Sequence, residues 1–442
     1  MPSSRRAILA SALAAGVAGC TDLWSDADPD HTSTGEPDFG TERVGSSTPS
    51  EAPEYAVWIR ETPADRVGVV SLGGGPETPR LFVASADAGE DNSEDNTLRA
   101  LDLQSGEEHW HVGVDHPVQT PPMYLDADDR TRFVFATGRT SRFDVGFVVQ
   151  AVDPDERDRA WRFGPEEHRL HYPLAIEDGT VFVGRRDDQF GAGEFVYALD
   201  GNDGSELWRT ESGDVVPSGH TARRDLLFVD TTTRLRALAL EDGEAVWSVP
   251  AESHAYDNRA ERVFVQAEGE DVVRGLAHAD GAELWRRGFE FNVTRITSPR
   301  AAMDETVYVG DSGGRLLAVS PLEGDTSWTL SVDRDQGFRP SVARTGERLY
   351  VAGAGVHAVD PVSGERAWAF EPDVGGYVHV EAGAPSTVFA HADRRVWALD
   401  PESGDPRWSF EPESELAGVA TAGDVAFVGV DGAVYALDGS AG

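Results

Sequence analysis

Imidazole, carboxylate and hydroxyl groups are the first candidates for chemistry in this chain. His109 and His111 lie two residues apart, a strand period that puts both rings on one side, where they could hold a metal. Trp110 between them marks an outer strand, where two exposed histidines ordinarily do nothing. His168 and His171 lack convergent ligands nearby. Ser218-Gly219-His220 sets a hydroxyl beside an imidazole, without the strand-turn-helix context of a nucleophile elbow. The run Asp87 to Asn96 has oxygen ligands enough for calcium but not the D-x-D-x-D-G spacing, and reads as a solvated loop. Gly73-Gly74-Gly75 is not followed by Gly-Lys-Ser/Thr, so it reads as a flexible turn and not a phosphate loop. No catalytic, cofactor-binding or metal-binding residue is assigned, and no cofactor is expected.

The N-terminus carries an address. Arg5 and Arg6 precede a small, apolar run from Ala7 to Val17, which has the three-part form of an export signal. That run is too short for a permanent membrane span. The paired arginines resemble a twin-arginine export signal. Val17-Ala18-Gly19-Cys20 resembles a lipobox, whose cysteine is acylated and becomes the new N-terminus. Cys20 is the sole cysteine of 442 residues, which excludes intramolecular disulfides and thiolate metal clusters. Residues 21–54 are rich in Asp, Glu, Ser, Thr and Pro and read as a flexible tether between signal (1–20) and folded body (55–442).

Charge fits that address. With 38 basic against 78 acidic residues the net charge is −40, and every basic residue is arginine. Such a surface repels phosphate backbones and anionic lipid, so nucleic acid is not expected as a partner. The lysine-free acidic composition is similar to that of secreted proteins from extreme halophiles.

The elements that position everything else come from a repeat. Ala100-Leu101-Asp102, Ala151-Val152-Asp153, Ala198-Leu199-Asp200, Ala237-Leu238, Gly275-Leu276, Ala318-Val319, Ala358-Val359-Asp360 and Ala398-Leu399-Asp400 each lead, ten residues after their first member, to a tryptophan. These are Trp110, Trp161, Trp208, Trp247, Trp285, Trp328, Trp368 and Trp408. Glycine stands four positions before seven of them; the second unit has Arg157. Asp starts a turn by bonding backbone two residues on, and Gly supplies the positive φ that completes it. Strands rich in β-branched and aromatic residues precede each pair. Four short antiparallel strands per 40 to 50 residues describe a propeller blade, and the indoles cover the faces where blades stack.

Ala436-Leu437-Asp438 opens a ninth copy whose tryptophan would fall beyond the last residue, while Tyr55-Ala56-Val57-Trp58-Ile59 is an orphan strand at the start. The economical solution is that the first strand, with Trp58, completes the last blade and closes the ring. The repeats resemble those of the pyrroloquinoline-quinone dehydrogenase-like propellers, a superfamily that includes a bacterial outer-membrane assembly lipoprotein. The fold expected is an all-β single propeller. Members commonly have eight blades and the arithmetic favours nine, so eight or nine stays open.

The resemblance implies two kinds of function. Its enzymes hold a quinone against a tryptophan, with calcium on carboxylates and often a vicinal disulfide; no Cys-Cys pair is possible here. Trp397, outside the period, could face a cofactor or fill the core. The reading adopted is a lipid-anchored scaffold on the outer face of the cell membrane that binds unidentified cell-surface proteins. A quinoprotein-type dehydrogenase and a carbohydrate-binding propeller are the alternatives. The first three units are longer, chiefly at Ala86–Asn96, Gly138–Gly146 and Arg185–Glu194, connections that emerge side by side on one face. Arg139, Arg142 and Phe143, with Arg185, Arg186 and Phe190, combine arginine and aromatic groups as interface anchors do.

Overall fold

The computed structural model describes residues 53–441 apart from short internal segments, among them 87–95, 141–144, 188–194, 213–220, 298–305 and 333–340. Among the described residues there are 36 strands and no helix. They form seven separate four-stranded antiparallel sheets and one eight-stranded sheet. The latter is two four-stranded units, joined by a single parallel pairing of Leu170 with Phe147. The chain is therefore an all-β propeller of nine blades. Blades 1 to 8 follow chain order, from Arg66–Gly113 to His379–Phe410. Blade 9 takes three strands from Leu416–Asp438 and its fourth from the N-terminus: Ala56–Glu61 pairs antiparallel with Ala433–Asp438.

Each blade runs from an inner first strand to an outer fourth strand, and first strands of most neighbouring blades touch. Strand faces alternate, so each sheet buries one side against the blade before and the other against the blade after. Nine hydrophobic clusters result, each shared by two adjacent blades. One of them joins Trp58, Phe427 and Val434 of blade 9 to Val70, Leu81 and Leu101 of blade 1.

The repeat's spacing becomes geometry in the third and fourth strands. In every blade the register slips by one residue just before the tryptophan; in blade 3, Ala198 faces Trp208 while Leu199 faces Glu206. The unpaired residue of this bulge, Leu207, is pushed outward. A small residue opposite each tryptophan leaves room for its indole to reach the second strand. There Phe82, Phe182, Phe228, Phe264, Tyr308, Tyr350, Phe389 and Phe427 meet the indole of their own blade at 5.7–6.2 Å between ring centroids.

One expectation is corrected. Gly73-Gly74-Gly75 is not a flexible turn but the end of the strand Arg66–Gly75, paired with Thr78–Ala86. A Cβ at Gly73 would lie 2.6 Å from the Phe82 ring, so glycine there admits a close-packed aromatic.

Candidate functional site

The tryptophans of the repeat are joints between blades. Trp161 Nε1 donates to Gly201 O at 2.8 Å, Trp208 to Leu240 O at 2.9 Å, and Trp247 to His278 O at 2.8 Å. Trp285, Trp328 and Trp368 bond Pro321, Pro361 and Pro401 carbonyls at 2.8 Å, and Trp408 bonds Asp438 O at 2.7 Å. Trp58 does the same to Leu103 O of blade 1, at 3.1 Å. Each acceptor belongs to the third-to-fourth turn of the next blade, except Asp438, which ends the third strand of blade 9.

The repeat glycine serves that contact as well as its own turn. Gly106, Gly204, Gly243, Gly281, Gly324, Gly364 and Gly404 have φ between 67° and 78°. A Cβ on any of them would lie within 2.8 Å of the preceding blade's indole. The aspartates fix the same turns: Asp360 Oδ1 accepts from Val362 N, Ser363 N and Ser363 Oγ at 2.7–3.0 Å. These bonds, those from Ser363 foremost, hold its carboxyl below the usual range. Sequence periodicity exposed both partners of the joint but not that they belong to different blades.

Other residues singled out from sequence are dispersed. The bulge at His109 breaks the alternation that would have aligned His109 with His111. His109 Nε2 sits 3.6 Å from Asp102, and His111 Nδ1 is 2.6 Å from Glu108. His171 is buried, its Nδ1 3.2 Å from Phe147 O. Trp397 fills the core, edge-on to Phe370 at 5.6 Å. His168, Ser218, Gly219 and His220 lie outside the described residues, as do Arg5, Arg6, Cys20 and most of 87–96.

Of the loop residues, Arg142, Phe143 and Phe190 lie outside the described residues. Arg139 and Arg186 stand in the second strands of blades 2 and 3, Arg130–Thr140 and Thr180–Asp187. In blade 2 most of the expected loop 138–146 is paired strand, and the extra length makes a longer hairpin with only 141–144 between its strands. Arg185 turns into its own blade: it is 9% exposed, bonded to Tyr197 Oη at 3.4 Å and set over the Phe195 ring. It is not a surface anchor.

Sequence reasoning missed one group of titratable side chains. His379, on the first strand of blade 8, faces His391 across the strand pair, their rings stacked at 5.1 Å. Glu381 Oε1 is 4.0 Å from His391 Nε2. Burial, then the neighbouring His379, pushes the His391 imidazole down to about 3. Burial, then the Arg295 guanidinium on the first strand of blade 6, lowers His379. No sequence signal marks the pair, because its members are twelve residues apart and meet only through register.

These groups do not build a redox site. All ten described tryptophans stand in the packing between blades or inside them, leaving no indole free to carry a quinone. Among the described residues no group of three His, Cys, Asp or Glu side chains could hold a metal ion. The described residues therefore do not fit a quinone with calcium.

Nine blades of tryptophan-docked repeats define the class: a β-propeller built from the repeats of the pyrroloquinoline-quinone-like superfamily. Residues 192–353 and 352–442 match the family described as outer membrane protein assembly factor BamB, and the chain belongs to it. The chain is similar to the assembly factor BamB of Nitrosomonas eutropha, 25% identical over 186 residues. That match covers 40% of this chain and 43% of the relative, so the chain spans less than half of that relative's length. The crystal structure of BamB from Moraxella catarrhalis is similar at a TM-score of 0.50 and 16% identity, over 71% of this chain and 95% of that one. This likeness concerns the fold.

Proposed function

We propose that this chain is an exported, lipid-anchored propeller that acts as a protein-binding or assembly scaffold at the cell envelope. Membership of an assembly-factor family carries the reading. The commitment of the repeat tryptophans to joints between blades supports it, since a ring with its indoles turned inward displays loops and does not present an indole platform for sugars or quinone. In this reading residues 1–20 are the twin-arginine signal, Cys20 carries the lipid, 21–54 are the tether, and the acidic surface suits molar salt.

The partner face is the one bearing the long second-to-third hairpins of blades 1 to 3. Arg139, Arg142, Phe143, Arg186 and Phe190 are its anchor candidates, with arginine and aromatic groups supplying contact area and charge-assisted bonds. Anchoring is tested by Cys20→Ser: the variant is expected in the medium while the parent stays with membranes. A variant that is cleaved yet remains membrane-bound contradicts the lipid anchor.

A further inference from the structure

Among the described residues six large apolar side chains stand exposed, and five of them share one rim: Leu207, Val246, Leu284, Leu322 and Val362. They come one from each of blades 3 to 7. Their exposure has a local cause. Leu207, Val246 and Leu284 are the bulge residues before Trp208, Trp247 and Trp285, displaced from the pairing so that the indole can turn inward. Leu322 and Val362 sit in third-to-fourth turns just after Pro321 and Pro361, whose carbonyls receive indoles. Val362 is 83% exposed. Aliphatic groups scattered singly are ordinary surface, but an unbroken series on five adjoining blades at one level is not scatter.

The chain enters the fold at this same level. Ala56 pairs with Leu437, and Asp438 N donates to Tyr55 O at 2.8 Å, so the backbone arrives at the third-to-fourth turn end of blade 9. Cys20 lies 35 residues before Tyr55, a reach of at most roughly 120 Å when extended. The second-to-third connections leave from the opposite face, because strands within a blade are antiparallel.

We propose that the apolar rim rests on the lipid bilayer that holds the anchor, which turns the long second-to-third hairpins of blades 1 to 3 away from the membrane toward a protein partner. The proposal rests on acylation of Cys20. The same turns and strand starts carry exposed Glu206, Glu244, Glu283, Glu323 and Glu365. Their charge holds the rim off an anionic bilayer at low salt, and the opposition fades as the Debye length shrinks to about 3 Å at 1 M. Contact with lipid is thus expected to strengthen with salt, whereas a cationic protein on this rim would be released by it.

The test uses the full acylated chain on anionic vesicles of phosphatidylcholine and phosphatidylglycerol. Since Cys20 is blocked by lipid, Val362→Cys, and separately Tyr377→Cys, offers a single thiol for a spin label. Tyr377 is exposed in the fourth-to-first connection before blade 8, on the opposite face. In 2 M salt the label at 362 is expected to lose accessibility to a water-soluble nickel complex several-fold relative to the label at 377, and to lose less in 0.1 M salt. Equal accessibility at both positions on vesicle-bound protein overturns the docking and leaves the anchor standing. Protein that fails to bind vesicles overturns both. Protection at 362 that needs added protein and weakens with salt assigns the rim to a cationic partner and overturns the bilayer.

Discussion

At the level of single residues, the joint between blades depends on what a glycine lacks. Gly364 and Gly432 have nearly the same left-handed φ, 74° and 76°, but only Gly364 lies under an indole, with nothing within 4 Å of a Cβ at Gly432. Gly364→Ala is expected to cost about 2–4 kcal/mol, from the left-handed backbone and the displaced Trp328 together. Gly432→Ala should cost only about 1–2 kcal/mol. Denaturant unfolding of the two variants checks this, and equal losses would mean that the indole contact contributes nothing. Arg157 holds the corresponding place in blade 2 at φ 54°, so Arg157→Gly is expected to stabilise. The histidine pair predicts acid sensitivity. Between about pH 6.5 and 3 the unfolded chain binds a proton at residue 391 that the folded chain refuses, because the folded imidazole is pushed down to about 3. Its contribution is complete above pH 6.5 and is lost as pH falls, at a slope approaching about 1.4 kcal/mol per pH unit. His391→Gln should flatten the decline between pH 6 and 4; an unchanged slope would contradict the assignment.

Among the elements, the N-terminal strand bears the largest claim. Deleting residues 55–60 removes Trp58, its bond to Leu103 O and most of the strand paired with Ala433–Asp438, baring an edge. That variant is expected to aggregate or to melt well below a variant lacking 25–45, and matching melting curves would show that blade 9 holds without its fourth strand. Much of this level was legible in the sequence. The ten-residue step from Ala or Gly to Trp located the third and fourth strands, and the orphan Trp58 found its place by counting. What stayed hidden follows from register. Hairpins of different length separate the aromatic of the second strand from its small partner, by 18 residues from Phe82 to Ala100 and 8 from Tyr350 to Ala358. No fixed spacing therefore announces the aromatic–small–indole row. Arg185 read as a surface anchor because a loop arginine and a strand-end arginine look alike until Tyr197 and Phe195 are placed beside it.

For the whole molecule, charge and closure act in opposite senses. Nine apolar clusters pull the blades together, while a net charge of −40 opposes compaction unless salt screens it. Near-UV circular dichroism should therefore collapse on dialysis from 2 M to about 0.05 M salt; an unchanged spectrum would remove the case for a halophilic protein. In the proposed function a ring so built works by presenting the second-to-third hairpins of blades 2 and 3 to a protein partner. The direct measurement replaces residues 141–144 and 188–194, which join the second and third strands of blades 2 and 3, with Asp-Gly turns patterned on Asp431-Gly432, then compares the proteins that co-isolate from native membranes in molar salt with those of the parent. The shortened protein is expected to melt with the parent and to stay membrane-bound, yet to lose its partners. Retention of the same partners by a normally folded, shortened protein would contradict the account.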